Sequence, residues 1–481
     1  MTNKIQIASD AKYSNSTSTL AHKTRKNAQW FSIFVIAALV ISATITSCDK
    51  NNDKETGTPT RMNINEAKSL FIASSNSGSK IYGVKKSTSS TKSTSEMDGE
   101  IFEISYLDKA DNPIVKEHPR HIYDAGNFII VCFGNHQEFA LSEAYLVNKS
   151  NGLIYAIPKE KLPLVYLEEY DNSPAMFMGR QNKVQLDQDG NIYYAGLPEA
   201  KQTLYKVSLG ASSAINITQV SVVNDYVVYF CVDGEGNVLY FGSNNSSETI
   251  SRYRKADDGS FVNFTHFWDM HNMYEDIIWT GTDGIMYGIK FEDIHDLALE
   301  TEPGRDGFYH KVSFIKIQKG QTTTISEDII QGEPRFLFTG FYVQGRIILL
   351  SRGHGINNYL IDVSNESSYK IVPCSIQTNL SQKDKFMVVE NKLCYFNYDT
   401  FSFTLINIDT GQTSLLYSFD KSKLGNYDVD QIMSVTESGI IFSAVQLSDG
   451  KYVVAKLDTN GAITIQQTIE GSVSVVMPLN L

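Results

Sequence analysis

The chain has 481 residues, with 42 Lys and Arg against 54 Asp and Glu, 26 Tyr, 25 Phe and only 11 Pro. A formal charge of −12 opposes general nucleic-acid binding, which needs basic charge to displace counterions, and 42% hydrophobic content is too high for a disordered chain. Five Cys in this length exclude a disulfide-dense scaffold, and the Tyr and Phe counts lean toward β structure. Length alone suggests roughly three domains.

The first fifty residues read as an address. A basic patch at Lys23–Lys26 precedes an apolar run from Trp30 to Ile45 and then Ile45-Thr46-Ser47-Cys48. A basic region, an apolar core and small residues before a cut form an export signal. The run is shorter than the roughly 20 residues that a spanning helix prefers. The segment resembles a bacterial lipoprotein signal, in which an aliphatic residue and two small residues precede a Cys. That resemblance implies that Cys48 is acylated, becomes the new N-terminus and anchors the protein in a membrane.

The charged stretch at Asp49-Lys50 and Asp53-Lys54-Glu55 resembles the export tag of Bacteroidetes surface lipoproteins. It implies an outer-membrane location, facing the periplasm or the cell surface. Residues 1–47 carry five basic side chains and one acidic one, so the exported chain keeps 37 basic and 53 acidic residues, a net of −16. Residues 48–64 read as the lipidated Cys and a polar tether, and residues 65–481 as the folded domain.

From Leu70 onward, apolar or alternating runs of five to eight residues recur between Gly, Asn, Asp and Ser, the pattern of strands and turns. Seven units stack, each with four strands, a to d, and a tight a–b turn. They are His121–Pro158, Val184–Val220, Val227–Phe264, Ile277–Ser326, Phe336–Pro373, Phe386–Phe419 and Ile432–Thr468. Their second strands begin near Asn127, Asn191, Asn237, Ile285, Arg346, Lys392 and Ile440, at spacings of 64, 46, 48, 61, 46 and 48. Inserted loops near 159–180 and 291–309 account for the two long intervals. Four strands per repeat of 46–48 residues predict an all-β fold, a β-propeller of thin antiparallel blades. Residues 69–105 match strands b, c and d, and Ser472–Leu479 is a lone strand. Together they make one more blade and close the ring, for eight blades. Seven is the alternative if the N-terminal strands pack elsewhere.

Asp187-Gln188-Asp189-Gly190-Asn191 resembles a calcium loop only superficially, because the later ligands and flanking helices of an EF-hand are missing. Asp-Gly and Asn-Gly pairs are hairpin-turn chemistry, expected as two-residue loops. Cys132, Cys231 and Cys394 sit in apolar strands as buried thiols, and export permits a Cys374–Cys394 disulfide. No zinc, phosphate-loop, serine-hydrolase or metalloprotease motif is present, so no cofactor and no metal site is expected.

Propeller topology sends b–c and d–a connections to one rim and a–b and c–d turns to the other. The b–c and d–a connections are the longer and chemically richer set. Candidate ligand-binding residues there are His136, Tyr170, Arg180, Trp268, His271, Arg352, His354 and Tyr398, with Trp268 and Tyr398 as stacking platforms. The expected function is a membrane-anchored binding module for a glycan, peptide or partner protein. The alternative is a polysaccharide hydrolase or lyase using acids and His from several blades.

Overall fold

The computed structural model describes residues 59–75, 78–86, 100–114, 116, 118–134, 141–163, 184–196, 203–209, 215–220, 226–243, 249–254, 261–264, 277–281, 283–294, 309–318, 321–331, 337–344, 346–352, 358–362, 364, 370–376, 385–389, 391–436 and 438–479. The signal segment and Cys48 lie outside these residues. Residues 57–481 form one unit. Among the described residues no helix is long and apolar enough to cross a membrane.

The described residues form eight four-stranded antiparallel sheets, an architecture of the β-propeller type. Sheet 1 takes strand a from Ser472–Pro478, then Ala67–Ser75, Gly78–Lys85 and Ile101–Glu103. Sheet 2 is Pro119–Ala125, Phe128–Phe133, Glu143–Asn148 and Ile154–Ile157. Sheet 3 is Val184–Leu186, Ile192–Gly196, Thr203–Leu209 and Ile215–Gln219. Sheet 4 is Tyr226–Val232, Val238–Ser243, Thr249–Arg254 and Phe261–Phe264. Sheet 5 is Ile277–Thr280, Met286–Ile294, Tyr309–Gln318 and Gln321–Gln331. Sheet 6 is Leu337–Val343, Arg346–Arg352, Asn358–Asp362 and Lys370–Cys374. Sheet 7 is Lys385–Val389, Lys392–Asn397, Ser402–Ile406 and Thr413–Ser418. Sheet 8 is Tyr427–Thr436, Gly439–Gln446, Tyr452–Asp458 and Ile463–Ile469.

Strand a of each sheet touches its neighbours in the order 6, 7, 8, 1, 2, 3, 4, 5. Sheet 1, built from two distant parts of the chain, therefore sits between sheets 8 and 2. Its strand b shows why the sequence reads as a continuous apolar run. Leu70 and Ile72 face sheet 2, where they pack with Ile122, Ile129 and Val131. Phe71 and Ala73 face sheet 8, where they pack with Met433, Ile441 and Val454. Side chains alternate along a strand, so a sheet covered on both faces needs apolar residues at every position. Each large side chain buried this way stabilises the fold by about 1.5–3 kcal/mol.

Several expectations need correction. The boundary at residue 65 lies too late, because Met62 and Ile64 are fully buried in the core shared by sheets 1 and 2. Arg61–Met62 also pairs with Tyr106–Leu107, which pairs with Pro113–Ile114 in a small three-stranded sheet. The insertion expected at 291–309 is partly strand, since strands b and c of sheet 5 extend their ladder to Ile294 and Tyr309. The a–b turns are of two kinds. Sheet 2 has the two-residue loop, with Ala125 opposite Phe128 and Gly126 at φ 68. Sheets 3 and 4 have three-residue loops, in which Asp187 N–H and Asp233 N–H donate to the Asn191 and Asn237 carbonyls at 3.2 and 2.9 Å. The third loop residue is Gly190 or Gly236, at φ 76 and 81, a left-handed conformation that favours glycine. No Cys374–Cys394 disulfide forms. Cys132, Cys231, Cys374 and Cys394 are all buried thiols, none of them in a disulfide.

Side chains also stitch adjacent inner strands. Gln185 Nε2 donates to the Phe230 carbonyl at 2.8 Å, and Val232 N–H donates to Gln185 Oε1 at 2.7 Å. Cys231 Sγ lies 3.1 Å from Thr280 Oγ1. Burial pushes the Cys231 thiol up to about 12, against an ordinary 9.0. The thiol thus stays protonated in the fold where the unfolded chain has lost its proton, and its contribution to stability is lost as pH rises from 9.0 through about 12. Cys231→Ala should flatten the loss of urea stability across that alkaline range. Native protein at neutral pH should leave all four thiols unreactive toward a thiol reagent, and unfolding in urea should expose them.

Gly152 and Gly190 both have positive φ, at 70 and 76, yet differ in surroundings. A Cβ at Gly152 would meet the Met62 carbonyl oxygen at 2.1 Å, whereas one at Gly190 would meet nothing within 4 Å. Gly152→Ala should therefore cost about 1–3 kcal/mol more than Gly190→Ala, because overpacking adds to the shared backbone strain. Urea denaturation of the two variants checks the difference.

Candidate functional site

The two rims differ in chemistry. On the a–b/c–d rim, the turn acids are consumed by the turns themselves. Asp187 Oδ1 accepts from Asp189 N–H and Asn191 N–H at 3.1 and 2.9 Å. Its Oδ2 accepts from Asn191 Nδ2 at 2.7 Å and the Tyr193 hydroxyl at 3.0 Å. Asp233 repeats the pattern with Glu235 N–H, Asn237 N–H and Asn237 Nδ2 at 3.0, 2.7 and 2.7 Å. Asp283 accepts from Ile285 N–H at 3.0 Å and the Tyr287 hydroxyl at 2.7 Å. Burial raises the Asp233 carboxyl above its ordinary value, opposed by its bonds from Asn237.

Backbone bonds join these turns across three sheets. Gln188 N–H donates to the Gly234 carbonyl at 3.1 Å, and Gly234 N–H donates to the Gly284 carbonyl at 2.7 Å. A carboxylate whose oxygens are already filled by four such donors has little left for a ligand. Among the described residues, no three of His, Cys, Asp or Glu gather as a metal-binding group.

On the opposite rim Asp108 and Asp420 likewise cap their own turns, and two clusters pair a lysine with a tyrosine. Lys116 comes from the d–a connection between sheets 1 and 2, and Glu143 from the start of strand c of sheet 2. Lys116 Nζ donates to both Glu143 carboxylate oxygens at 2.9 Å. The Tyr145 hydroxyl donates to Glu143 Oε2, and Lys116 Nζ lies 5.4 Å from the Tyr145 ring centroid. Glu143 remains about one-third exposed. Phe133 packs edge-on against both Tyr145 and Tyr106, at 5.6 and 5.7 Å. The Tyr106 hydroxyl is buried with no hydrogen-bond partner among the described residues. Burial raises its pKa, and the Tyr145 and Glu143 groups nearby add to the shift. Burial and the Glu143 bond raise Tyr145 in the same direction.

A second cluster on this rim repeats the lysine-on-tyrosine arrangement. Tyr398 lies on the b–c connection of sheet 7, where its half-buried ring packs edge-on against Phe396 and Phe401 at 6.4 and 6.2 Å. Lys421, on the d–a connection to sheet 8, sits 4.0 Å from the ring centroid and donates to the Tyr398 carbonyl at 3.0 Å. Lysine therefore already occupies one face of the expected platform, a cation–π contact worth about 0.5–1 kcal/mol at an exposed site.

Of the sequence candidates, Tyr398 is the one whose side chain is described. Arg352 ends strand b of sheet 6, and His136, Tyr170, Arg180, Trp268, His271 and His354 lie outside the described residues. Sequence reasoning missed Lys116, Glu143 and Tyr145. Their only signal was the Glu-x-Tyr spacing that puts both side chains on one face of strand c, and Lys116 comes from a different sheet connection.

No protein-family model and no curated protein matches the chain. Similar solved structures are propeller proteins. The β-propeller domain of the Trilobed protease from Pyrococcus furiosus is 8% identical, with a TM-score of 0.37, covering 74% of this chain and 99% of that one. The periplasmic gluconolactonase of Pseudomonas aeruginosa is 10% identical, with a TM-score of 0.37, covering 73% and 95%. TolB from Acinetobacter baumannii is 10% identical, with a TM-score of 0.29, covering 69% and 61%.

The two tyrosines of the first cluster predict opposite responses. Tyr106→Phe removes a buried hydroxyl without a partner and should be neutral or stabilising by about 1 kcal/mol. Tyr145→Phe removes a donor to a carboxylate and should cost about 1.5–3 kcal/mol. Paired chemical denaturation curves separate the two.

Proposed function

We propose that the protein is an exported lipoprotein, held in the outer membrane through acylated Cys48, whose domain is an eight-bladed ring closed by Ser472–Pro478 in the N-terminal blade. The ring serves as a binding module. It presents the b–c/d–a rim to a glycan, peptide or partner protein.

The observation that carries this reading is the pair of lysine-on-tyrosine clusters on the b–c/d–a rim, where Lys116 sits against Tyr145 and Lys421 against Tyr398 and Glu143 stays about one-third exposed. The register of Ser472–Pro478 against Ala67–Ser75 supports the closed ring, since it makes the first and last parts of the domain one sheet.

The anchor predicts that Cys48→Ala moves the protein from the membrane fraction to the soluble fraction and abolishes incorporation of labelled fatty acid. The binding rim predicts that a photo-crosslinking residue placed at Asp399 captures a cellular partner or a glycan, while one at Asp189 on the other rim does not. Capture confined to Asp189 overturns the assignment of the rim.

A further inference from the structure

Lys116, Glu143 and Tyr145 leave a definite remainder of hydrogen-bonding capacity. A carboxylate has about four acceptor positions and an ammonium has three donors. Lys116 Nζ donates to Glu143 Oε1 and Oε2, both at 2.9 Å, and the Tyr145 hydroxyl takes a further place on Oε2. Among the described residues this leaves one acceptor position on Oε1 and one N–H on Lys116, on atoms 2.9 Å apart. The Glu143 side chain is 34% exposed and that of Lys116 16%, so both reach solvent. Asp108 and Asp420 on the same rim instead take their bonds from their own turns.

Two further observations fall on the same place. The Tyr106 hydroxyl is enclosed and has no partner among the described residues. Tyr145 and Glu143 lie close enough to add to the rise that burial causes in its pKa. A buried phenol without a partner carries a desolvation cost that phenylalanine avoids. A polar group taken up beside Glu143 would offset that cost. His118, two residues after Lys116, holds φ 61 immediately before Pro119. A non-glycine residue rarely adopts that conformation, and a residue before proline is normally extended. Bonds on either side hold it there. Gly134 N–H donates to the His118 carbonyl at 3.1 Å, and Ser79 Oγ donates to the Pro119 carbonyl at 2.7 Å. Strain persists where its surroundings over-determine it, and here it fixes the chain beside Lys116.

We infer that Lys116, Glu143 and Tyr106 form a binding site for sugar hydroxyls, which makes the ligand of this rim a neutral glycan. This rests on the binding role of the rim proposed above and chooses among its ligands. A hydroxyl both donates and accepts at one oxygen. One sugar hydroxyl gives its proton to Glu143 Oε1, and it or its neighbour on the ring accepts from Lys116. A carboxylate or phosphate has no proton to give Glu143 and meets its charge. An ammonium cannot accept from Lys116 and is repelled in turn. The pair is balanced in charge, so a neutral ligand meets neither penalty. A peptide strand finds no open edge here, because strand c of sheet 2 is paired on both sides, Glu143 with Phe133 and Ala144 with Ile157.

The test applies the full chain to an array of neutral oligosaccharides, acidic oligosaccharides and peptides, with titration calorimetry on whatever binds. Neutral glycans should bind, and Lys116→Met and Glu143→Gln should each weaken them about tenfold or more, the loss of one hydrogen bond to a charged group. Lys116→Met keeps the apolar stem against the Tyr145 ring, and thermal unfolding confirms that each variant is folded. Tyr106→Phe should weaken binding without loss of stability, and Asp189→Asn on the other rim should change nothing. Glycan binding that survives all three substitutions of the site overturns the site and leaves the binding role of the rim standing. Binding confined to acidic glycans or to peptides overturns the ligand class. An array with no bound glycan or peptide, together with no capture at Asp399, overturns both this site and the binding role.

Discussion

The architecture depends on one antiparallel pairing, between Ser472–Pro478 and Ala67–Ser75. Strand b of sheet 1 is apolar at every position from Leu70 to Ala73, because it must satisfy sheet 2 on one face and sheet 8 on the other. A four-stranded sheet with both faces covered has no solvent side on which to place polar residues. Each sheet borrows half its core from a neighbour, so stability accrues at the junctions more than within any one sheet. Without strand a, sheet 1 would offer sheet 8 only a fragment of the surface that Phe71, Tyr82 and Val473 now cover.

Much of this was legible from the order of residues. The expected starts of strand b at Arg346 and Lys392 are the observed ones, and the other five fall within one residue of theirs. Period-two alternation and Asp-Gly or Asn-Gly turns are local signals, carried by neighbours in sequence. The leading segment was not legible in the same way. Met62 and Ile64 stand among polar residues, and their burial depends on Gly152 and Tyr106, which are remote in sequence. The Lys116, Glu143 and Tyr145 cluster escaped for the same reason, since one member comes from a connection and two from a strand. At Tyr398 the aromatic was visible in the sequence, but its covering lysine lies 23 residues further on.

Carboxylates serve two purposes in this fold. In a turn a carboxylate is a structural acceptor: Asp187 takes four hydrogen bonds from its own loop and strand, and Asp108 and Asp420 cap the turns of their d–a connections in the same way. Glu143, at the start of a strand, has no turn to cap and takes Lys116 and the Tyr145 phenol instead.

The joining of Ser472–Pro478 to Ala67–Ser75 has a consequence in time as well as in space. Its two halves lie about 400 residues apart. At roughly 5–20 residues per second, synthesis leaves strand b without its partner for some tens of seconds. For that interval an apolar edge with unpaired backbone groups stands open to any other extended chain. A protein built this way gains a late checkpoint, because the last described strand to be made also covers the earliest long apolar segment of the domain. Ribosomes and chaperones must carry that segment until its partner is made.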